Sequence, residues 1–234
     1  MYVASPQIPH TAPSSFLSTF TLATDAEVAQ LIQAVPTKTS PLATLPISLL
    51  KQCTAELSSV IAHLAKRSFT VGCFPTLLKV GLVTPLLKHP GLDTSDYKNF
   101  RPLTSLTTVS EILERLALAR LKPHIVSSPD YCPLQSAYRS AHSTETALVK
   151  MVDDILGCMD SGSVAVVVGL DISAAFDTVC YQTLLGRLEL KFGIRGASLE
   201  WVASYLSDTT ISVRVVKSSS LLSQYTLASH RVPC

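Results

Sequence analysis

The chain has 234 residues, of which 47% are apolar and only 15% charged, and its formal net charge is +2. This length and composition predict a sizeable buried core in one large or two small domains. No apolar stretch reaches the roughly 18–20 residues of a membrane span, and the N-terminus lacks the basic and apolar regions of a signal peptide. The composition therefore argues against a membrane-spanning or a secreted protein.

The six cysteines are scattered along the chain without a C-x-x-C pair. This spacing indicates buried thiols in a reducing compartment, and it argues against a zinc site or a disulfide framework. We therefore expect an intracellular protein, located in the nucleus or the cytoplasm.

The small net charge conceals two regions of opposite charge. Residues 51–150 contain 12 lysines and arginines against 7 acids, a balance of +5, whereas residues 151–200 contain 3 against 7, a balance of −4. A basic region followed by an acidic one suits a protein that holds a polyanion with one part and metal ions with another. Uneven but ordinary surface charge is the alternative.

The N-terminal part of the chain is predicted to be helical after a loose start. Residues 1–23 are rich in Pro, Ser and Thr and are expected to be loose. Thr24 and Glu27 have the spacing of a capping box, which predicts that a short helix follows. Apolar residues at helical spacing predict a longer helix that begins at Pro46 and stops just before Gly72.

A strand and a further helix are predicted next. Residues 78–88 are typical of a strand, in which Pro85 indicates an edge or a bend. A turn-rich loop is predicted over residues 89–102. Thr108 and Glu111 again have capping-box spacing, and they precede the helical pattern "ILERLALARL".

The second half of the chain is predicted to contain three helices and three strands. A helix starts near Ser143 and places apolar residues on one face. Residues 164–171 form a continuous apolar run, which predicts a buried central strand rather than a half-exposed one. Two helices and a strand hairpin are predicted over 181–193, 197–206, 210–217 and 221–228.

Asp171 ends this apolar run, in the sequence "VAVVVGLDISAAFDTV" (164–179). A buried carboxylate is costly unless it is paired or binds a cation, and α/β sheets place ligands at the carboxyl ends of strands. Three chemistries fit: a nucleophilic carboxylate, an acid of an actin-like ATPase, and a Mg²⁺ ligand for phosphoryl transfer. A helix cap is the structural alternative, and for Asp177 capping is the favoured role.

Four segments of the sequence occur in the order and spacing of one known family. The first two, "VTPLLKHPGLDTSDYKNFRPLTSLTTVSEILERL" and "LQSAYRSAHSTETAL", resemble its PLLKK-PG-D-x-x-NYRPIS and Q-x-G/A-Y/F-R-x-x-x-ST-x-x-AL motifs. The third, "LDISAAFDTV", is similar to its D-x-S-x-A-F-D motif, and "GIRGASLEWVASYLSDTTISVRV" continues as family members do. The chain thereby resembles the reverse transcriptases of non-LTR (LINE-type) retrotransposons.

The resemblance implies an α+β fold, namely a partial right-hand polymerase that is rich in helices and has a small incomplete sheet. It implies a lead-in over residues 1–70 and a reverse transcriptase domain over 71–234, with fingers at 71–162 and the first part of the palm at 163–234. It also implies Mg²⁺ as cofactor, and an RNA template, a DNA primer and deoxynucleoside triphosphates as partners, with no membrane.

The resemblance assigns roles to single residues. Asp171 matches the metal-binding aspartate of the first palm motif, and the backbone carbonyl of Ile172 helps to hold a metal. Phe176 matches the aromatic ring beneath the incoming sugar, which excludes a 2′-hydroxyl. Lys88 and Arg101 match fingers positions that contact the nucleotide triphosphate. The segment near the template strand is matched by Gln135, Tyr138 and Arg139.

The resemblance weakens at the end of the sequence. The family's next motif, roughly G-V-P-Q-G-S, faces "SHRVPC" here, and no Y-x-D-D occurs in the 234 residues. Two-metal nucleotidyl transfer needs several carboxylates, so we expect a truncated polymerase fragment that is inactive as this chain. A non-catalytic nucleic-acid-binding module, and an inert relic or incomplete gene model, are the alternatives; an ATPase would need glycine-rich phosphate loops, which are absent.

Overall fold

The chain folds into seven α-helices and four β-strands within residues 13–36, 46–172, 175, 178–216 and 222–228, which this computed structural model describes. The helices are α1 (Asp25–Ala34), α2 (Ile47–Gln52), α3 (Thr54–Val71), α4 (Thr108–Val126), α5 (Thr144–Asp160), α6 (Tyr181–Leu190) and α7 (Gly196–Leu206). The strands are β1 (Val80–Leu87), β2 (Phe100–Ser105), β3 (Thr210–Val216) and β4 (Leu222–Ala228). Single-turn 3-10 helices cover Thr76–Leu78 and Tyr97–Asn99.

Side-chain caps define where several helices begin. The hydroxyl of Thr24 accepts a hydrogen bond from the Glu27 N–H at 3.1 Å, and the Glu27 carboxylate accepts one from the Thr24 N–H at 2.9 Å. This capping box is confirmed, and Ser143 caps α5 as predicted. The start predicted for α4 is wrong by one residue, because Thr107 rather than Thr108 is the N-cap.

The four strands form one sheet in the order β2-β1-β3-β4. β1 runs parallel to β3 and antiparallel to β2, while β3 and β4 form the predicted antiparallel hairpin. The loop predicted over 89–102 is too long, because β2 begins at Phe100 and pairs residue by residue with the second half of β1. Pro85 and Pro102 are residues typical of loops, yet the β1–β2 pairing accommodates both.

Pro85 of β1 lies directly opposite Pro102 of β2. The Lys88 N–H donates to the Asn99 carbonyl at 2.8 Å, and hydrogen-bonded pairs alternate along an antiparallel ladder, so the proline pair occupies a non-hydrogen-bonded position. On its other side β1 pairs with β3 only over Val80–Val83. Neither missing N–H therefore costs a ladder bond. β1 is an inner strand of the sheet, so the edge or bend predicted from Pro85 corresponds only to the part of β1 beyond Val83, which β3 does not pair.

The chain forms two compact units. The larger contains residues up to Ser128 and from Cys180 onward, and the smaller is Pro129–Val179. The predicted boundary between fingers and palm, at residues 162 and 163, falls inside the smaller unit and stays a prediction.

The larger unit is built around a cluster of aromatic rings. Phe20, Phe69, Phe74, Trp201 and Tyr205 have neighbouring ring centroids 4.9–5.7 Å apart, mostly edge to face. Edge-to-face pairs of this kind add roughly 0.5–1.5 kcal/mol each beyond their buried area. Phe20 is fully packed here, so residues 13–23 are more ordered than their composition predicts.

The apolar run 164–171 is not the buried strand that the sequence predicts. Residues 163–172 have no regular secondary structure, and Val164 and Leu170 are 91% and 90% exposed. A strand needs a partner, and the four described strands pair among themselves. The prediction failed because the continuous apolar pattern reports how readily a segment can pair, not whether a neighbouring strand is available.

The cysteines also differ from expectation. Cys73, Cys132 and Cys158 are free but exposed rather than buried, and Cys180 is disulfide-bonded. Among the described helices, none is both long and apolar enough to cross a membrane.

Candidate functional site

Asp171 and Ile172 lie at the end of the exposed segment 163–172 in the smaller unit. Both side chains face solvent, and Ile172 is 69% exposed. Phe176, like Asp177, lies outside the described residues, so its predicted role stays a prediction. Among the residues that are described, no three or more His, Cys, Asp or Glu side chains come together in a group that could hold a metal ion.

The chain leading to Asp171 runs beside α5. Residues 164–168 and α5 line an open groove of about 620 Å³, in which Lys150 pairs with Asp154 one helical turn away. The sequence places apolar residues on one face of α5, but no residue of α5 is buried. The exposed members of that face are Leu148, Met151 and Val152.

Lys88 and Arg101 come together on the β1–β2 hairpin of the larger unit. Arg101 is paired with Leu86, and Lys88 with Asn99 through the hydrogen bond described above. Side chains alternate between the two faces of a strand, so Lys88 and Arg101 share a face as diagonal neighbours. Both are exposed. Two residues thirteen positions apart in sequence thus form one cationic patch.

The loop between the two strands is fixed by its own polar side chains. Asp93 accepts hydrogen bonds from the Ser95 N–H at 2.9 Å and the Ser95 hydroxyl at 2.7 Å, and these hold the pKa of Asp93 below its usual range. Asn99 donates its amide to the Asp93 carbonyl at 2.9 Å. Asp96 accepts from the Lys98 N–H at 2.9 Å. These contacts order the loop that joins Lys88 to Asn99.

Sequence reasoning assigned no role to these loop residues. The pattern D-T-S-D contains two acids that can each accept from a backbone N–H two residues on, which is the signature of an Asx-turn. That signature was available in "LDTSDYKN", but it predicts a turn and not which side chains the turn will bring together.

The predicted template residues all lie in the loop between α4 and α5. The Arg139 guanidinium donates to the Pro133 carbonyl at 2.6 Å and sits 5.9 Å from the ring centroid of Tyr131, so part of it holds the loop together. Gln135 donates to the Ala137 carbonyl at 3.2 Å. Tyr138 has φ 60°, a left-handed conformation that is uncommon outside glycine, and its ring is exposed.

The predicted site residues are therefore divided between the units. Lys88 and Arg101 belong to the larger unit, whereas Asp171 and the loop carrying Gln135, Tyr138 and Arg139 belong to the smaller. The larger unit thus offers two exposed cations, and the smaller unit offers the exposed ring of Tyr138 beside the half-buried Arg139. Cations of this kind bind phosphates, and aromatic rings stack on bases.

Comparison with known proteins now identifies the family. The model of the family described as Reverse transcriptase (RNA-dependent DNA polymerase) matches residues 87–230, a range that includes every predicted site residue. The chain belongs to the reverse transcriptase family. The resemblance to non-LTR retrotransposon enzymes is confirmed, and so is the partial, helix-rich polymerase fold.

Curated relatives come from mobile elements of insects. The chain is 26% identical over 199 residues to the "Probable RNA-directed DNA polymerase from transposon BS" of Drosophila melanogaster, covering 83% of this chain and 21% of that protein. It is 30% identical over 193 residues to the "RNA-directed DNA polymerase from mobile element jockey" of the same species, covering 81% and 20%. A type-1 retrotransposable element R2 polyprotein of Popillia japonica is 26% identical over 132 residues, covering 56% and 18%. The chain spans about a fifth of the length of the curated relatives it matches.

Proposed function

We propose that this chain forms the fingers side of an RNA-directed DNA polymerase, where it binds an RNA template, a DNA primer and the phosphates of an incoming deoxynucleoside triphosphate. The observation that carries the proposal is the placement of Lys88 and Arg101 on one exposed face of the β1–β2 hairpin. We place this activity inside the cell, in the nucleus or the cytoplasm.

The two cations suit phosphate for different reasons. Arg101 presents a planar fork that can bind two phosphate oxygens at once, while Lys88 supplies a compact point charge. Both side chains are exposed, and neither takes part in the three salt bridges of the described residues. A polyanion can therefore bind them without breaking one of these ion pairs. In the smaller unit, Tyr138 offers a ring on which a base can stack.

A metal centre is not complete among the described residues. Asp171 would hold Mg²⁺ through its carboxylate, with the Ile172 carbonyl as a second oxygen ligand, and both are ligand types that Mg²⁺ prefers. Mg²⁺ requires near-octahedral oxygen ligation, and two metals need shared carboxylates, yet no acidic cluster surrounds Asp171 in the described part of the chain. The described donor set therefore does not fit a two-metal centre, and we derive no catalytic step from it.

A second candidate function follows from the same observation. Because phosphate binding by the Lys88–Arg101 patch would need no metal, a non-catalytic nucleic-acid-binding module is equally compatible with the hairpin. Binding without primer extension would support the module, and an absence of any binding would support an inert relic.

Filter binding of a primer–template duplex at 50 and 200 mM salt tests the proposal. We expect affinity to fall at the higher salt, because each neutralised phosphate releases counterions. Replacing Lys88 and Arg101 together with Ala should weaken binding at least tenfold and flatten the salt dependence. Lys98→Ala, an exposed lysine in the intervening loop, is the matched control and should bind as the unmodified chain does. Binding that neither salt nor the double substitution changes would contradict the proposal.

A further inference from the structure

A cavity of about 150 Å³ lies in the larger unit, away from every residue assigned to nucleotide or template. At roughly 30 Å³ per water it has room for about five water molecules. Its lining comes from the approach to β1, from α4, from the start of α6 and from the end of α7. We call it the Lys79 cavity, and its lining residues are Phe74, Leu78, Lys79, Leu106, Ser110, Glu114, Tyr181, Tyr205, Leu206 and Thr209.

Lys79 is the cation of this cavity, and it is only 8% exposed. Its ammonium group has three N–H donors, but one long hydrogen bond, to the Ser204 hydroxyl at 3.5 Å, is its single partner among the described residues. No described carboxylate oxygen lies within 4.0 Å of the Lys79 ammonium nitrogen, the limit for an ion pair. Lys79 is thus a largely buried lysine whose ammonium has no carboxylate partner among the described residues, which makes it a candidate partner for an anionic ligand.

Glu114 is the acid in the lining, and it is already engaged. Its carboxyl accepts a hydrogen bond from the Tyr205 hydroxyl at 2.8 Å. Burial raises the pKa of Glu114; the Tyr205 bond partly offsets this, and the neighbouring Glu111 carboxylate adds to the rise. Tyr205 also has a raised pKa, mainly from burial, and Tyr181 is the remaining titratable group in the wall. When Glu114 is protonated, the cavity carries a single positive charge.

We propose that the Lys79 cavity binds a small organic carboxylate, whose carboxylate group pairs with the Lys79 ammonium. Apolar side chains form one part of the wall, where the short hydrocarbon tail of the ligand contacts Phe74, Leu78 and Leu206. The volume admits only a few heavy atoms. A single cation matches a monoanion better than a phosphate dianion, which would leave one negative charge unpaired beside Glu114.

Butyrate is the probe for this proposal. Isothermal titration of the full 234-residue chain with butyrate, at constant ionic strength balanced with chloride, should show saturable one-to-one binding. Lys79→Met should weaken that binding at least tenfold, because it removes the counter-charge while keeping an unbranched side chain. Lys98→Met, which removes an exposed lysine far from the lining, should bind as the unmodified chain does. No saturable binding, or equal affinity in Lys79→Met, overturns the proposal.

A second variant keeps the test decisive if Lys79→Met does not unfold cooperatively. Glu114→Gln retains an acceptor for Tyr205 but cannot become negative. We expect the gain in butyrate affinity of Glu114→Gln over the unmodified chain to be larger at pH 8 than at pH 5, because the ionised fraction of Glu114, which repels the ligand, rises with pH. Equal affinities of the two proteins at both pH values would overturn the proposal.

Discussion

Trp201 donates its indole N–H to the hydroxyl of Ser68 across 2.8 Å, and Ser68 donates in turn to the carbonyl of Cys73 at 2.6 Å. Trp201 and Ser68 are 133 residues apart in sequence, so this bond joins α7 to α3. The indole has one donor and is buried in the aromatic cluster, so Ser68 is what makes this tryptophan compatible with the core.

Ser68→Ala should therefore destabilise the larger unit. It leaves the indole N–H without its acceptor in a buried site, which costs roughly 1–3 kcal/mol. Urea denaturation followed by tryptophan fluorescence measures the change. Ser59→Ala on the same helix is the control, because the exposed Ser59 hydroxyl only bonds back to the Glu56 carbonyl. A loss for Ser68→Ala no larger than for Ser59→Ala would show that the bond is unimportant.

Arg120 joins α4 to the segment before α1. Its guanidinium donates to the carbonyls of Thr21 at 2.9 Å, Leu22 at 3.3 Å and Leu116 at 2.9 Å, and to the Glu27 carboxylate at 2.9 Å. Arg120→Met keeps much of the packing but leaves these acceptors unpaired, so we expect a loss of about 2–3 kcal/mol in urea denaturation. Arg115→Met, at an exposed position of the same helix, should cost well under 1 kcal/mol. Similar losses in both variants would contradict this.

The ion pair between Arg120 and Glu27 predicts that the stability of the fold depends on pH. The hydrogen bond from Arg120 holds the pKa of Glu27 below its ordinary value of 4.5, although burial acts the other way. An acid with a lowered folded pKa stabilises the fold above its unfolded pKa, and that contribution is lost as the pH falls through the folded value. Thermal melts from pH 6 to pH 3 should thus show a larger loss for the unmodified chain than for Arg120→Met. Parallel curves would argue against the coupling.

Gly193 ends the turn after α6 with φ +65°, and its α-carbon lies against the backbone of Ser15. A β-carbon there would overlap the Ser15 carbonyl oxygen. Gly193→Ala should cost more than about 3 kcal/mol, since the left-handed backbone alone costs roughly 1–2 kcal/mol and the clash adds to it. Gly91→Ala is a matched control, because Gly91 has φ +87° with open space around it. Equal losses in denaturation would show that the clash is relieved elsewhere.

Much of the fold follows from local patterns in the sequence. The capping box at Thr24, the cap at Ser143 and the alternating strand at 210–217 report geometry within a few residues, so they predicted their elements well. The strand at 164–171 failed because pairing depends on a distant partner. β2 was not predicted because Pro102 argues against a strand, and the register with β1 that accommodates this proline is not visible in the local sequence.

The site was predicted from motifs rather than from local physics. Family motifs selected Lys88 and Arg101, and the hairpin register explains their proximity, which no local pattern encodes. Lys79 received no role because its burial depends on α4 and α7, which come much later in the chain. A lysine beside a strand is ordinarily exposed, so its sequence context gave no reason to single it out.

Catalysis by this chain is the last prediction. The purified 234-residue protein should not extend a primer on an RNA template with Mg²⁺ or Mn²⁺. Phosphoryl transfer depends on positioning and charge neutralisation by metals, and the sequence contains no Y-x-D-D to share two cations with Asp171. The described residues supply no acidic cluster in its place. Asp171→Ala is the control in a primer-extension assay. Extension that disappears in Asp171→Ala would contradict this prediction, and it would mean that a second copy or a partner supplies the other carboxylates.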